Sequence, residues 1–237
     1  MKDLLTNLKL DLKQLSNPEK AKTLSRFFKT GIGEYGEGDR FLGITVPISR
    51  EIVRKYNCLS FKNIKILLSS SFHEERLIAL LILVDQYKRG DKEERQIIYK
   101  FYLSNTHKIN NWDLVDLTAP NIVGVHLFDK PRDILYQFAR SKNLWERRIA
   151  ILSTFHFIRQ NQFDDTLKIS KILLKDSHDL IHKAIGWMLR EIGKRDQKTE
   201  EKFIIKYYHE IPRTTLRYAI ERFKEDKRRR YLEGIVK

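Results

Sequence analysis

A carboxylate that cannot cap a helix, set in a strongly basic chain, is the residue of this sequence best suited to chemistry. Asp116 lies in the segment NNWDLVD between Val115 and Leu117. Asp113, three residues earlier, shares roughly the same side of the predicted helix but sits in its first turn, where a carboxylate favours the helix dipole and caps. Asp116 comes too late for that role. An inward carboxylate opposing a basic field is costly unless it does something, and an arginine such as Arg148 would favour its ionised form. Two tryptophans accompany it, Trp112 in NNWDLVD and Trp187 in HKAIGWMLRE. Both are read as lying at the starts of repeated helices, where a purely structural core would place Leu or Ile. Trp145, in NLWERR, reads as ordinary packing at a helix entrance.

Other chemistries fit the spacing less well. His178 and His182 are four apart, the separation of a two-histidine metal site, but no Glu stands between them as in H-E-x-x-H, so no metal site is expected. Many lysines are present, yet none has an evident desolvated setting for a Schiff base. The single cysteine, Cys58, excludes a disulfide framework and a cysteine-rich zinc site, and reads as a buried apolar residue.

The elements that must position these residues have helical period. Leu4, Leu5, Leu8, Leu12 and Leu15 fall on one face of a first helix. Asn17-Pro18 ends it, and Pro18 opens a second that runs to about Thr30. Between Gly31 and Gly43 lie five of the ten glycines, in TGIGEYGEGDRFLG. No Gly-Lys-Ser/Thr follows, and Glu34, Glu37 and Asp39 would repel phosphate, so this is a structural loop docking the first helices. From Pro47 onward helical segments alternate with short breaks at Asn57, Gly90-Asp91, Asn110-Asn111, Pro131, Asn161 and Pro212. Arg76, Asp113, Arg148, Lys183 and Tyr218 anchor five similar segments at spacings of 37, 35, 35 and 35 residues. A period of that size is a helix pair, which predicts an all-α, HEAT-like superhelix with one concave face, as a single domain over residues 1–237. Charged first turns on the second helix of each pair would give that face a basic character.

Composition agrees with a polyanionic partner. Lys+Arg number 46 against 31 Asp+Glu, a net +15, and 26 aromatic residues place this charge on a folded body. The longest apolar run, Leu77 to Val84, is too short for a membrane span, and the N-terminal MKDLLTNLKLDLKQL reads as a helix, not a signal peptide. The expected setting is cytoplasmic, associated with the nucleoid in a prokaryote, with no membrane partner and a monomeric chain. The basic run Lys227 to Arg230 reads as a solvated helix end. On charge and repeats alone, a non-catalytic nucleic-acid-binding scaffold fits equally well.

The segments YGEGDRFLGITVP, NNWDLVDL, WERRIAIL, IHKAIGWMLREIGK and PRTTLRYAIERF resemble, in order and over nearly the whole chain, the AlkD-like DNA alkylation repair glycosylases. The resemblance implies HEAT-like repeats and excision of cationic N3- and N7-alkylated purines from double-stranded DNA without metal or cofactor. Position by position, it implies Trp112 and Trp187 as aromatic walls beside the lesion nucleotide, Asp116 as the catalytic carboxylate and Arg148 as a groove residue near it. Some members of that family carry Tyr where this chain has Phe27. Lys183, Arg190, Arg213 and Arg217 are the expected phosphate contacts.

Overall fold

The computed structural model describes residues 3–236, and its fold is all-α. Met1 and Lys2, which the leucine pattern would include in the N-terminal segment, lie outside the described residues. No β-strand occurs among the described residues, only one isolated bridge between Arg40 and Phe72. No described helix is long and apolar enough to cross a membrane. The chain divides into two compact units, one ending at Thr118 and the other beginning at Ala119.

The first unit contains α1 (Leu4–Gln14), α2 (Pro18–Phe27), α3 (Val46–Tyr56), α4 (Phe61–Leu68), α5 (His73–Arg89), α6 (Lys92–Ser104) and α7 (Trp112–Asp116). Leu8 and Leu12 are the fully buried members of the α1 leucine face, while Leu4 and Leu15 stay exposed. The Asn17 side chain accepts the Lys20 amide and caps α2, whose Pro18 occupies the first turn. The helix ends three residues before the predicted Thr30, because Lys29 turns into the left-handed region at φ 56°. Helix α5 carries the Leu77 to Val84 run, which is buried throughout and packs on α3, α4, α6 and α7. Cys58 departs from expectation: it is exposed in the turn after α3, and the neighbouring Leu59 takes the core position.

The long glycine loop is held by one buried carboxylate. Glu74 accepts the amides of Leu42, Gly43 and Ile44 at 2.8–3.1 Å. Gly43 has φ +83°, and a Cβ there would lie 2.1 Å from the Asn17 carbonyl oxygen. Only glycine permits that approach of loop to the α2 cap.

The second unit opens with a π-helical turn at Pro120–Gly124 and continues with α8 (Asp133–Phe138), α9 (Leu144–Arg159), α10 (Asp164–Leu173), α11 (Asp179–Gly193), α12 (Gln197–Lys206), α13 (Arg213–Ala219) and α14 (Glu225–Glu233). Helix α9 touches α8, α10 and α11; α11 touches α9, α10, α12 and α13. The repeat anchors fall on alternate helices, Arg76 on α5, Asp113 on α7, Arg148 on α9, Lys183 on α11 and Tyr218 on α13. The 35-residue period is thus one helix pair. Lys227 to Arg230 lies within α14, with Lys227 paired to Glu201 and Arg228 to Glu225.

Candidate active site

Trp112 and Asp116 are the first and last residues of α7. Four residues apart, they share one face of the helix, and both are part-exposed, whereas Asp113, Leu114 and Val115 between them are buried. So Asp116 shares its face with Trp112 rather than with Asp113.

A helix of five residues does not hold itself together. Three sets of contacts do it here. At the N-terminus the Asn111 side chain accepts the Trp112 amide at 2.8 Å. Asp113 accepts the Leu114 amide with one oxygen and faces His73 Nε2 at 2.8 Å with the other. At the C-terminal end Thr118 donates to the Leu114 carbonyl and lies 2.9 Å from the fully buried Tyr102 hydroxyl. Burial pushes the Tyr102 hydroxyl up, and the charge of Asp116 adds to that push.

Beneath α7 lies a buried charge network that sequence reasoning missed. His73 Nδ1 faces Asp39 at 3.2 Å, and Arg76 pairs with the same carboxylate at 2.6 Å. Asn110 and Asn111 also donate to Asp39. Burial opposes a charge on His73, but Asp113 and Asp39 overcome it and raise its pKa to about 9. The imidazole is therefore a cation at neutral pH and donates from both nitrogens. Asp39 also has its carboxyl opposed by burial, but hydrogen bonding from His73 and the Arg76 charge hold it below the usual range. Aromatic rings join this network to Trp112. Phe28 stacks on Trp112 at 5.1 Å and on Phe41 at 5.1 Å, and lies 4.9 Å from His73. Phe27 meets Trp112 edge-on at 5.8 Å and is 62% exposed. The residue singled out by the family resemblance thus touches the first of the two tryptophans. The doubled Asn110-Asn111 before Trp112 was a local signal of a built helix start; His73 and Asp39 gave none.

The other two residues of the expected constellation belong to the second unit. Trp187 is in the middle of α11, not at its start, and is part-exposed. Its indole donates to Glu191 at 3.1 Å and its ring lies 5.6 Å from Phe155. Arg148 is buried in the first turns of α9 and donates to the Leu180 carbonyl of α11. Trp145 is buried, the ordinary core residue its segment predicts.

Charged residues near the helix starts do much internal work. Arg76 pairs with Asp39, Arg147 with Asp176, and Arg132 with Asp165. Of the expected phosphate contacts, Arg190 pairs with Glu221 and lies 3.8 Å from Glu191. Lys183 pairs with Asp179 at 2.7 Å, and Arg213 donates to the Leu232 carbonyl. Arg217 is exposed. His178 and His182 have structural partners: His178 Nδ1 accepts the Leu180 amide and His182 Nε2 faces the Asp176 carbonyl.

A family model described as DNA alkylation repair enzyme matches residues 8–223, spanning both units. None of the curated proteins matches the chain. Among solved structures, the chain is similar to a predicted DNA alkylation repair enzyme from Enterococcus faecalis, at 18% identity and a TM-score of 0.70, covering 89% of this chain and 97% of the other.

Proposed function

Because this chain belongs to the DNA alkylation repair enzyme family, we propose that it is a monofunctional DNA glycosylase acting on cationic N3- and N7-alkylated purines in duplex DNA. The observation that carries this reading is α7, a five-residue helix whose clamped frame leaves Trp112 and Asp116 together on one part-exposed face.

The chemistry needs little more. A purine alkylated at N3 or N7 already carries a positive charge, so it leaves without a general acid. Cleavage moves the charge onto the sugar, giving an oxocarbenium-like species. The Asp116 carboxylate stabilises that charge and orients water toward C1′. The bond from C1′ to the purine nitrogen breaks, water oxygen bonds to C1′, and one water proton is released. The products are a neutral alkylpurine and an abasic site. Trp112 and Trp187 present π faces to the cationic nucleotide, worth roughly 1–2 kcal/mol each when desolvated. Arg148 is assigned to the DNA backbone at the lesion, and Lys183, Arg190, Arg213 and Arg217 to phosphates further along. The reaction asks for no metal or cofactor, and a single chain suffices.

Purified protein is expected to release 3-methyladenine and 7-methylguanine from methylated duplex well above the spontaneous rate. Asp116→Asn should lower 7-methylguanine release about 100-fold or more, with DNA affinity nearly unchanged. Release at wild-type rate by that variant removes Asp116 from the chemistry. Wild-type protein that binds DNA but releases no base would instead be a binding scaffold.

A further inference from the structure

His73 stands between two carboxylates that come from different parts of the first unit. Its Nδ1 faces Asp39, near the end of the glycine loop, at 3.2 Å, and its Nε2 faces Asp113, in α7, at 2.8 Å. All three residues are buried. A neutral imidazole has one N–H and one lone pair, so one of the two carboxylates would meet a lone pair. Only the imidazolium donates to both. The backbone fixes where the ring sits: the His73 amide donates to the Arg40 carbonyl at 2.8 Å, and the Arg40 amide donates to the Ser71 carbonyl at 2.9 Å.

Both carboxylates bear on the same short helix. Asp113 accepts the Leu114 amide with its other oxygen. Asp39 also accepts from Asn110 and Asn111, the two residues that lead into Trp112. Helix α7 has too few residues to fix its own rotation. A slip by one residue, about 100°, would carry Trp112 and Asp116 off their shared face. The groups around the ring compete over its charge. Asp113 from α7 and Asp39 from the loop favour the cation, whereas burial, Arg76 on the same helix and the dipole at the start of α5 oppose it. Phe41 and Phe28 present only rings, at 4.7 and 4.9 Å.

We propose, on the reading that Asp116 acts at the sugar, that His73 is a positioning residue for base release: as an imidazolium bridging Asp39 and Asp113, it sets the rotation of α7 and so the places of Asp116 and Trp112. Its loss of a proton, centred at about pH 9, leaves one carboxylate facing a lone pair. The start of α7 then loosens, and Asp116 leaves its place at C1′.

The test uses the full chain in single-turnover release of 7-methylguanine from methylated duplex, against a protein-free control at each pH. Wild-type release is expected to fall as pH rises through about 9. His73→Gln, measured well below its own melting midpoint, should release base about 10- to 100-fold more slowly at neutral pH, with unchanged affinity for a duplex holding a tetrahydrofuran abasic site and without the alkaline fall. Asp113→Asn keeps the shape and removes one carboxylate, so its fall should move to lower pH. A second readout needs no activity. The fluorine signal of 5-fluorotryptophan at position 112, identified by its loss in Trp112→Phe, should titrate over the same range in wild type and stay still in His73→Gln. Release at wild-type rate by His73→Gln overturns the proposal, as does a position-112 signal that does not titrate in wild type. A signal that titrates in a protein releasing no alkylpurine would keep His73 as the residue that sets α7 and defeat the glycosylase reading.

Discussion

At the scale of single residues, Asp113 and Asp116 show what sequence spacing conveys and what it leaves out. Asp113 does meet a first-turn amide, as its position predicts, but its second oxygen belongs to His73, forty residues earlier. No local pattern announces a partner so distant. The same holds for Asp39, which looks like a phosphate-repelling loop carboxylate and is instead buried between two cations. The His73 network has a measurable pH signature. Its folded pKa of about 9 lies above the ordinary unfolded value near 6.5. The resulting stabilisation, about 3 kcal/mol, is fully present below roughly pH 6.5 and lost as pH rises through about 9. His73→Gln lacks that charge. Melting curves between pH 6 and 9.5 should show the wild-type advantage shrinking across the window, and a constant gap would mean that His73 is neutral in the fold.

At the scale of elements, the period was legible because anchors 35 residues apart recur on alternate helices. Exact placements were not. Trp187 was expected at a helix start because the start of α11 could not be fixed from HKAIGWMLRE; the His178 side chain caps that helix one residue before Asp179. The glycine beside Trp187 has a packing reason. A Cβ on Gly186 would lie 2.5 Å from the Thr215 carbonyl oxygen and 2.5 Å from Tyr218 Cβ, so α11 and α13 approach to glycine distance. Gly186→Val is expected to cost about 1–3 kcal/mol through overpacking and to lower the melting temperature by several degrees. A variant as stable as wild type would show that the two helices can separate freely.

At the scale of the whole molecule, the net charge of +15 pointed to a polyanion before any element was placed. The arginines proposed as phosphate contacts are a mixed population, which composition does not reveal. Arg190 is engaged with Glu221, while Arg217 is exposed. Arg217→Ala should lower the salt slope of DNA binding by about 0.9, one phosphate's worth; an unchanged slope removes Arg217 from the footprint. Arg190→Ala should lower the slope by a similar amount and also lower the melting temperature, because it leaves Glu221 and Glu191 without their arginine.

The arginines turned inward have a consequence for how the second unit comes apart. Arg132 reaches Asp165, Arg147 reaches Asp176, Arg148 reaches the Leu180 carbonyl, and Thr215 reaches back to the His182 carbonyl. Each bond ties one helix pair to the next across about thirty residues of chain. A pair at the end of such a series has one tied neighbour and an inner pair has two. Deuterium uptake by backbone amides should therefore be slowest in α9 and α11 and fastest in α14, with opening that travels inward from the terminus rather than through the unit at once. Arg148 and Trp187, on the two slowest helices, would keep their places through fluctuations that already melt the end of the chain.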